Sequence, residues 1–211
     1  MEKRESKVKD LVEKLRKGDI TSKEAQKELK KRGLGHKETW KDFIGFLLWG
    51  VLCFLPGFAK QTNLEILGFF AQLPSIEFPP IAIYISIALF IAMILLAVIH
   101  YYLNSKKGGC GSEDHTVILL KNSLYRVVRH PGVLSWMFAF IAITVAISNY
   151  MPFTILSVLG NIVLVVFNYW GCLIEEKELN LKKWGDEYRQ YMKEVPRWNF
   201  IKGLWNLRKR K

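Results

Sequence analysis

Four stretches of the chain, residues 43–58, 80–103, 133–148 and 153–174, are almost free of charge, whereas residues 1–39 are dense in Lys and Glu and nearly lack aromatic side chains. Residues 80–103, "PIAIYISIALFIAMILLAVIHYYL", contain no Asp, Glu, Lys or Arg. As a helix they cover roughly 35 Å at about 1.5 Å per residue, enough for a bilayer core. Residues 153–174, "FTILSVLGNIVLVVFNYWGCLI", form a second such run. Residues 133–148 are near the lower length limit, but the short "NYMP" link to the next run predicts a helical hairpin. Residues 43–58 contain Pro56 and are either a further span, which the length rule favours, or a re-entrant element. The pattern predicts an all-α integral membrane protein of about four transmembrane helices, the third and fourth forming the hairpin, with a cytoplasmic helical tail. The first apolar run opens after about forty polar residues, so a cleavable signal peptide is not expected.

Ahead of the spans, Val8, Leu11, Val12 and Leu15 recur at helical spacing, "KGD" interrupts them, and Thr21 with Glu24 makes a capping box for a second helix ending near Gly33. This small soluble hairpin either lies solvated on the membrane surface or serves self-association through residues 1–35. The domain reading is therefore 1–39 for the hairpin and 40–211 for the membrane part. "GGCG" at 108–111 reads as a flexible loop, since no Lys-Ser/Thr follows it.

Charge then sets orientation. The connections carry +5 in residues 1–39, −1 in 59–79, +3 in 103–132 and +5 in 175–211. Basic and non-basic segments alternate as the positive-inside rule requires for four spans, which predicts both termini in the cytoplasm. The net charge of +12 thus reflects topology and attraction to anionic headgroups. No base-stacking or groove-reading motif supports nucleic-acid binding. Cys53, Cys110 and Cys172 make no C-x-x-C pair, and His36, His100, His115 and His130 have no ligand spacing, so neither a disulfide scaffold nor a metal centre is expected.

Candidate chemistry gathers where basic residues meet the third apolar run, in "LYRVVRHPG". Pro131 suits the first turn of a helix and places His130 at the N-cap, where free amides and the helix dipole favour an anion and Arg129 adds charge. On the fourth run Asn161, Asn168 and Glu175 are spaced by seven and form a polar stripe. The hairpin brings the exit "IEEKEL" to the same side as "RHP". Glu175, Glu176 and Glu178 could instead form a solvated helix end paired with Lys182 and Lys183 at helical offsets, the reading preferred for Glu178. Trp184, Tyr188, Tyr191 and Trp198 give the tail an aromatic face suited to interfacial anchoring or to a ligand lid.

"LYRVVRHP", a hairpin, and then "EEKELNLKKWGDEYRQYMKEVPR" together resemble the C-terminal half of the isoprenylcysteine carboxyl methyltransferase and phospholipid methyltransferase superfamily, over residues 115–200. The resemblance implies an integral-membrane enzyme that uses S-adenosyl-L-methionine and methylates a lipid or prenylated small-molecule acceptor at the cytoplasmic face. It implies Glu176 and Arg197 as catalytic residues, and Arg129, His130, Pro131, Glu175, Glu176, Tyr188 and Tyr191 around the cofactor. Gly132 and Val133 stand where the family pattern continues towards a tyrosine, residues 168–172 offer no cation before the acidic pair, and "WNF" follows "VPR". Two other functions share the architecture: an NADPH-dependent sterol or isoprenoid reductase, and a non-catalytic membrane scaffold.

Overall fold

The computed structural model describes residues 6–35, 40–62, 64–109 and 116–209; His36, Cys110, Gly111 and His115 lie outside them. Every regular element among the described residues is a helix. The chain forms two compact units, one from Met1–Lys37, Leu96–Leu134 and Cys172–Lys211, the other from Glu38–Leu95 and Ser135–Gly171.

The main helices are α1 (Lys9–Lys17), α2 (Ser22–Lys31), α3 (Trp40–Thr62), the one-turn α4 (Gly68–Ala71), α5 (Pro80–Lys107), α6 (Pro131–Ala146), α7 (Ile155–Ile174), α8 (Leu181–Glu194) and α9 (Phe200–Lys209). Among the described residues three helical runs are long and apolar enough to cross a membrane: Phe43–Thr62, Pro80–Lys107 and Ile155–Glu194. In the last of these the apolar part is α7. Residues 175–194 carry eleven charged side chains and lie beyond the hydrocarbon-compatible segment. Ile81, Tyr84, Ile85, Ile91, Leu95 and Val98 of α5 are exposed, an apolar surface that needs lipid rather than water around it.

The first apolar run follows the favoured expectation of a span. The segment that looked short, 43–58, continues as helix through Pro56 to Thr62. Membrane helices tolerate such a proline because neighbouring groups satisfy the freed carbonyl. The short one is α6, whose 16 residues reach roughly 24 Å at 1.5 Å per residue.

In the unit holding α3, small residues let helices approach. A side chain at Gly45 would strike Phe167, and one at Gly160 would strike Cys53. Trp49 Nε1 donates to Asn161 Oδ1 at 3.0 Å, and Asn161 Nδ2 donates to Thr144 Oγ1 at 3.2 Å, which ties α6 to α7 across their connection. Asn168, the next residue of the polar stripe, instead bonds back to the Leu164 carbonyl at 2.8 Å within its own helix.

In the other unit the terminal segments of the chain share one core. Helix α1 ends at Gly18 in the left-handed conformation, and α2 opens with Thr21 and Glu24 bonded reciprocally, as the capping-box pattern predicts. Arg32 clasps Asp10 with two bonds of 2.8 and 2.7 Å and also donates to the Lys7 carbonyl at 3.0 Å. That fork holds the Asp10 carboxyl at about 2. The apolar face so formed, Val8, Leu11, Ala25 and Leu29, packs on Val117, Trp184, Tyr188, Tyr191 and Val195. Lys7 N–H and the Ser6 hydroxyl both donate to the Lys183 carbonyl, at 2.9 and 3.0 Å. Trp184 Nε1 donates to the Val117 carbonyl at 3.1 Å. Trp184, Tyr188 and Tyr191 of the tail are therefore covered by the N-terminal hairpin.

Helix α8 is broken at Gly185, whose φ of 55° and ψ of −128° are accessible in practice only to glycine. The break turns Tyr188 and Tyr191 into the core. Gly185→Ala is expected to lower the unfolding free energy by about 1–3 kcal/mol, read from denaturant titration in detergent micelles. A change within the noise would mean that the backbone there relaxes without strain.

Candidate functional site

Two backbone bonds set the frame. Leu134 N–H donates to the His130 carbonyl at 3.1 Å, so α6 starts at Pro131 with His130 as its N-cap. Arg129 N–H donates to the Pro196 carbonyl at 3.0 Å, which fastens "RHP" alongside "VPR" and puts Arg129 and Arg197 within reach of one carboxylate.

That carboxylate is Glu176, with a side chain 3% exposed. Its Oε1 lies 3.0 Å from His130 Nε2 and 3.2 Å from Arg129 Nη1, and its Oε2 accepts from Arg197 Nη2 at 2.6 Å. Glu175 approaches the other imidazole nitrogen, Oε2 to His130 Nδ1 at 3.4 Å, and accepts from Asn180 Nδ2 at 3.0 Å. Both acids fall in a π-helical turn, Glu175–Asn180, between α7 and α8. Such insertions concentrate at functional sites, and here two consecutive carboxylates flank a single ring.

The electrostatics follow from this geometry. Burial opposes a charged His130, but the Glu175 carboxylate and hydrogen bonds with Cys172, Glu175 and Glu176 outweigh it and hold the imidazole well above its ordinary value of 6.5. Burial likewise opposes an ionised Glu176, yet hydrogen bonds from His130 and Arg197 and the Arg129 charge keep it below its ordinary range. Two arginines and the His130 imidazole thus face two carboxylates.

Arg129 is buried within this cluster. Its side chain is 7% exposed, and its Nε and Nη1 hydrogens have no hydrogen-bond acceptor among the described residues; Nη1 is close to Glu176 but not aligned with it. A buried donor left without an acceptor costs on the order of 1–3 kcal/mol and calls for a ligand or a functional reason. The site thus offers buried guanidinium donors at the N-terminus of a helix, beside a carboxylate, Glu175, that is a third exposed.

Arg129, His130, Glu175, Glu176 and Arg197 converge, with Pro131 adjacent. Tyr188 is one bond removed: Asn180 Nδ2 lies 3.3 Å from its hydroxyl, and burial pushes that phenol up to about 12. Tyr191 stands in the core, donating to the Tyr125 carbonyl at 2.6 Å. Glu178 pairs with Lys182 at 2.7 Å on the surface, as the helical spacing predicts. Sequence reasoning missed Asn180 and Cys172, for which no motif exists. It also missed the contact behind Gly132, where any side chain would overlap the His100 ring.

Stability should bear the mark of these charges. A raised His130 value contributes stability that is fully present below 6.5 and is lost as pH rises through the raised value, while lowered Glu176 contributes stability above 4.5 that is lost in acid. Thermal unfolding across pH should therefore show a midpoint that declines on the alkaline side. His130→Gln should flatten that decline; an unchanged slope would remove His130 from the account.

Among the described residues no group of His, Cys, Asp and Glu is arranged to hold a metal ion. Comparison of the chain with protein families, with curated proteins and with solved structures gives no match.

Proposed function

We propose that the protein is an integral-membrane methyltransferase that uses S-adenosylmethionine to methylate a lipophilic acceptor. In this reading α3, α5, α6 and α7 are its four spans and both termini are cytoplasmic. The observation that carries the reading is Arg129: a buried guanidinium with unsatisfied donors at the start of α6, next to a half-buried carboxylate. The amino-acid end of the cofactor has the complementary pair of charges. Its carboxylate fits the Arg129 donors and the free amides of α6, and its ammonium fits Glu175.

When bound, S-adenosylmethionine supplies an electrophilic methyl group on a sulfonium. The chain's own contribution is alignment and exclusion of water, which is what direct displacement chiefly requires. His130 is fixed from both ring nitrogens and holds the two acids apart. Glu176 is saturated by Arg129, His130 and Arg197, so it anchors those cations rather than accepting a proton. Glu175, held by Asn180, is the less buried of the two acids, its side chain 32% exposed.

Incubation of the purified protein with methyl-labelled S-adenosylmethionine and total lipid extract tests the reading. Label should pass to a lipid fraction, and Arg129→Gln should reduce transfer at subsaturating cofactor by at least about tenfold, the loss expected for charge-assisted bonds. Absence of label in every lipid fraction, with NADPH and not S-adenosylhomocysteine stabilising the protein, would favour a reductase instead.

A further inference from the structure

Helix α9 (Phe200–Lys209) presents an apolar strip that the rest of the described chain does not cover. Phe200 is 48%, Ile201 70%, Leu204 54% and Trp205 58% exposed. At 100° per residue these four fall within an arc of roughly 140°, which Arg208 enters only in the last turn, where its long side chain can reach out to the headgroups. The docked side of the helix lies elsewhere on the cylinder. Asn199 caps the helix by accepting from the Lys202 amide at 2.8 Å, and Asn206 Nδ2 donates to the Glu194 carbonyl at 3.1 Å. Gly203 is buried so closely against the Val127 carbonyl that any side chain there would collide with it. The orientation of α9 within its unit is thereby fixed, with the apolar strip facing away from the contacts that hold it.

The chemistry around the strip identifies what covers it. Residues 199–211 contain five Lys or Arg and no Asp or Glu. Lys202, Arg208 and Lys209 are exposed, and Lys209 Nζ stands 5.5 Å from the centre of the Trp205 ring. Tryptophan beside basic side chains suits the level of lipid headgroups, where the ring is half wet and the ammonium meets phosphate. Val127, which Gly203 touches, stands four residues before Pro131, where the apolar helix α6 begins. The same compact unit contains the last turns of the spanning helices α5 and α7. Helix α9 is thus fastened at the level where the chain enters the apolar layer.

We propose that α9 lies in the plane of the bilayer surface, with Phe200, Ile201, Leu204 and Trp205 among the upper acyl chains and Lys202, Arg208 and Lys209 on anionic headgroups. This surface is independent of the methyl-transfer reading.

The full-length protein and its Trp205→Phe variant, each placed in nanodiscs of brominated phosphatidylcholine with and without phosphatidylglycerol, provide the test. The difference between the two fluorescence signals isolates Trp205. That component should be quenched by about half or more, and more strongly when phosphatidylglycerol is present. Lys202→Gln/Arg208→Gln/Lys209→Gln should weaken the dependence on phosphatidylglycerol while leaving the helix content intact. An unquenched Trp205 component overturns the proposal. So does quenching indifferent to phosphatidylglycerol, or a strip buried instead against a second copy, in which case Ile201→Ser/Trp205→Ser would convert an oligomer to monomer in detergent.

Discussion

Replacing Glu176 with leucine is expected to lower the unfolding free energy by about 3–5 kcal/mol, because it leaves Arg129 and Arg197 as buried cations without their shared counter-ion. The cost arises from the residues left behind. Adding Arg129→Leu and Arg197→Met to the same chain should therefore recover a large part of it, since a buried ion cluster exchanged whole for apolar groups is often neutral or better. Denaturant titration in detergent micelles measures both steps. A loss below about 1 kcal/mol for the single variant would mean that water reaches the cluster and screens it.

Removal of residues 1–35 is the second large effect. Those residues supply Val8, Leu11, Ala25 and Leu29 to the core that encloses Trp184, Tyr188 and Tyr191. Uncovering large side chains costs about 1.5–3 kcal/mol each. The amides of residues 186–195 should then exchange at least a hundredfold faster, equivalent to about 2.7 kcal/mol. Because Tyr188 leads through Asn180 to Glu175, ligand binding at the site should weaken in the same variant. Unaltered exchange would mean that the hairpin is an appendage and that α8 is held by other contacts.

The local elements of this fold are legible in the sequence because each is written in short-range chemistry. Thr21 and Glu24 announce the start of α2, Pro80 and Pro131 open α5 and α6, and Glu178 with Lys182 marks an exposed face. The meeting of "RHP" with the acidic pair also follows from the chain, given that a short link makes α6 and α7 neighbours. Amphipathic spacing shows that α1 and α2 each bury a face, but not what covers it; the partner lies more than 150 residues away, at Trp184 and Tyr188. The Arg129–Pro196 bond joins two backbones and so leaves no trace in side-chain pattern. The π-helical turn has no hydrophobic period of its own to betray it, yet it sets the spacing of Glu175 and Glu176 about His130. Asn168 looked like a member of a polar stripe because spacing does not reveal a side chain that satisfies itself on its own helix.

The central claim is that the Arg129 cluster binds the amino-acid end of S-adenosylmethionine. Isothermal titration of the detergent-solubilised protein with S-adenosylhomocysteine, beside Arg129→Gln and with NADPH as the competing ligand, tests it most directly. Saturable binding of S-adenosylhomocysteine, weakened at least about tenfold by Arg129→Gln and absent for NADPH, is the predicted result. Binding of NADPH alone, or equal affinity of S-adenosylhomocysteine for the wild-type and Arg129→Gln chains, would contradict it.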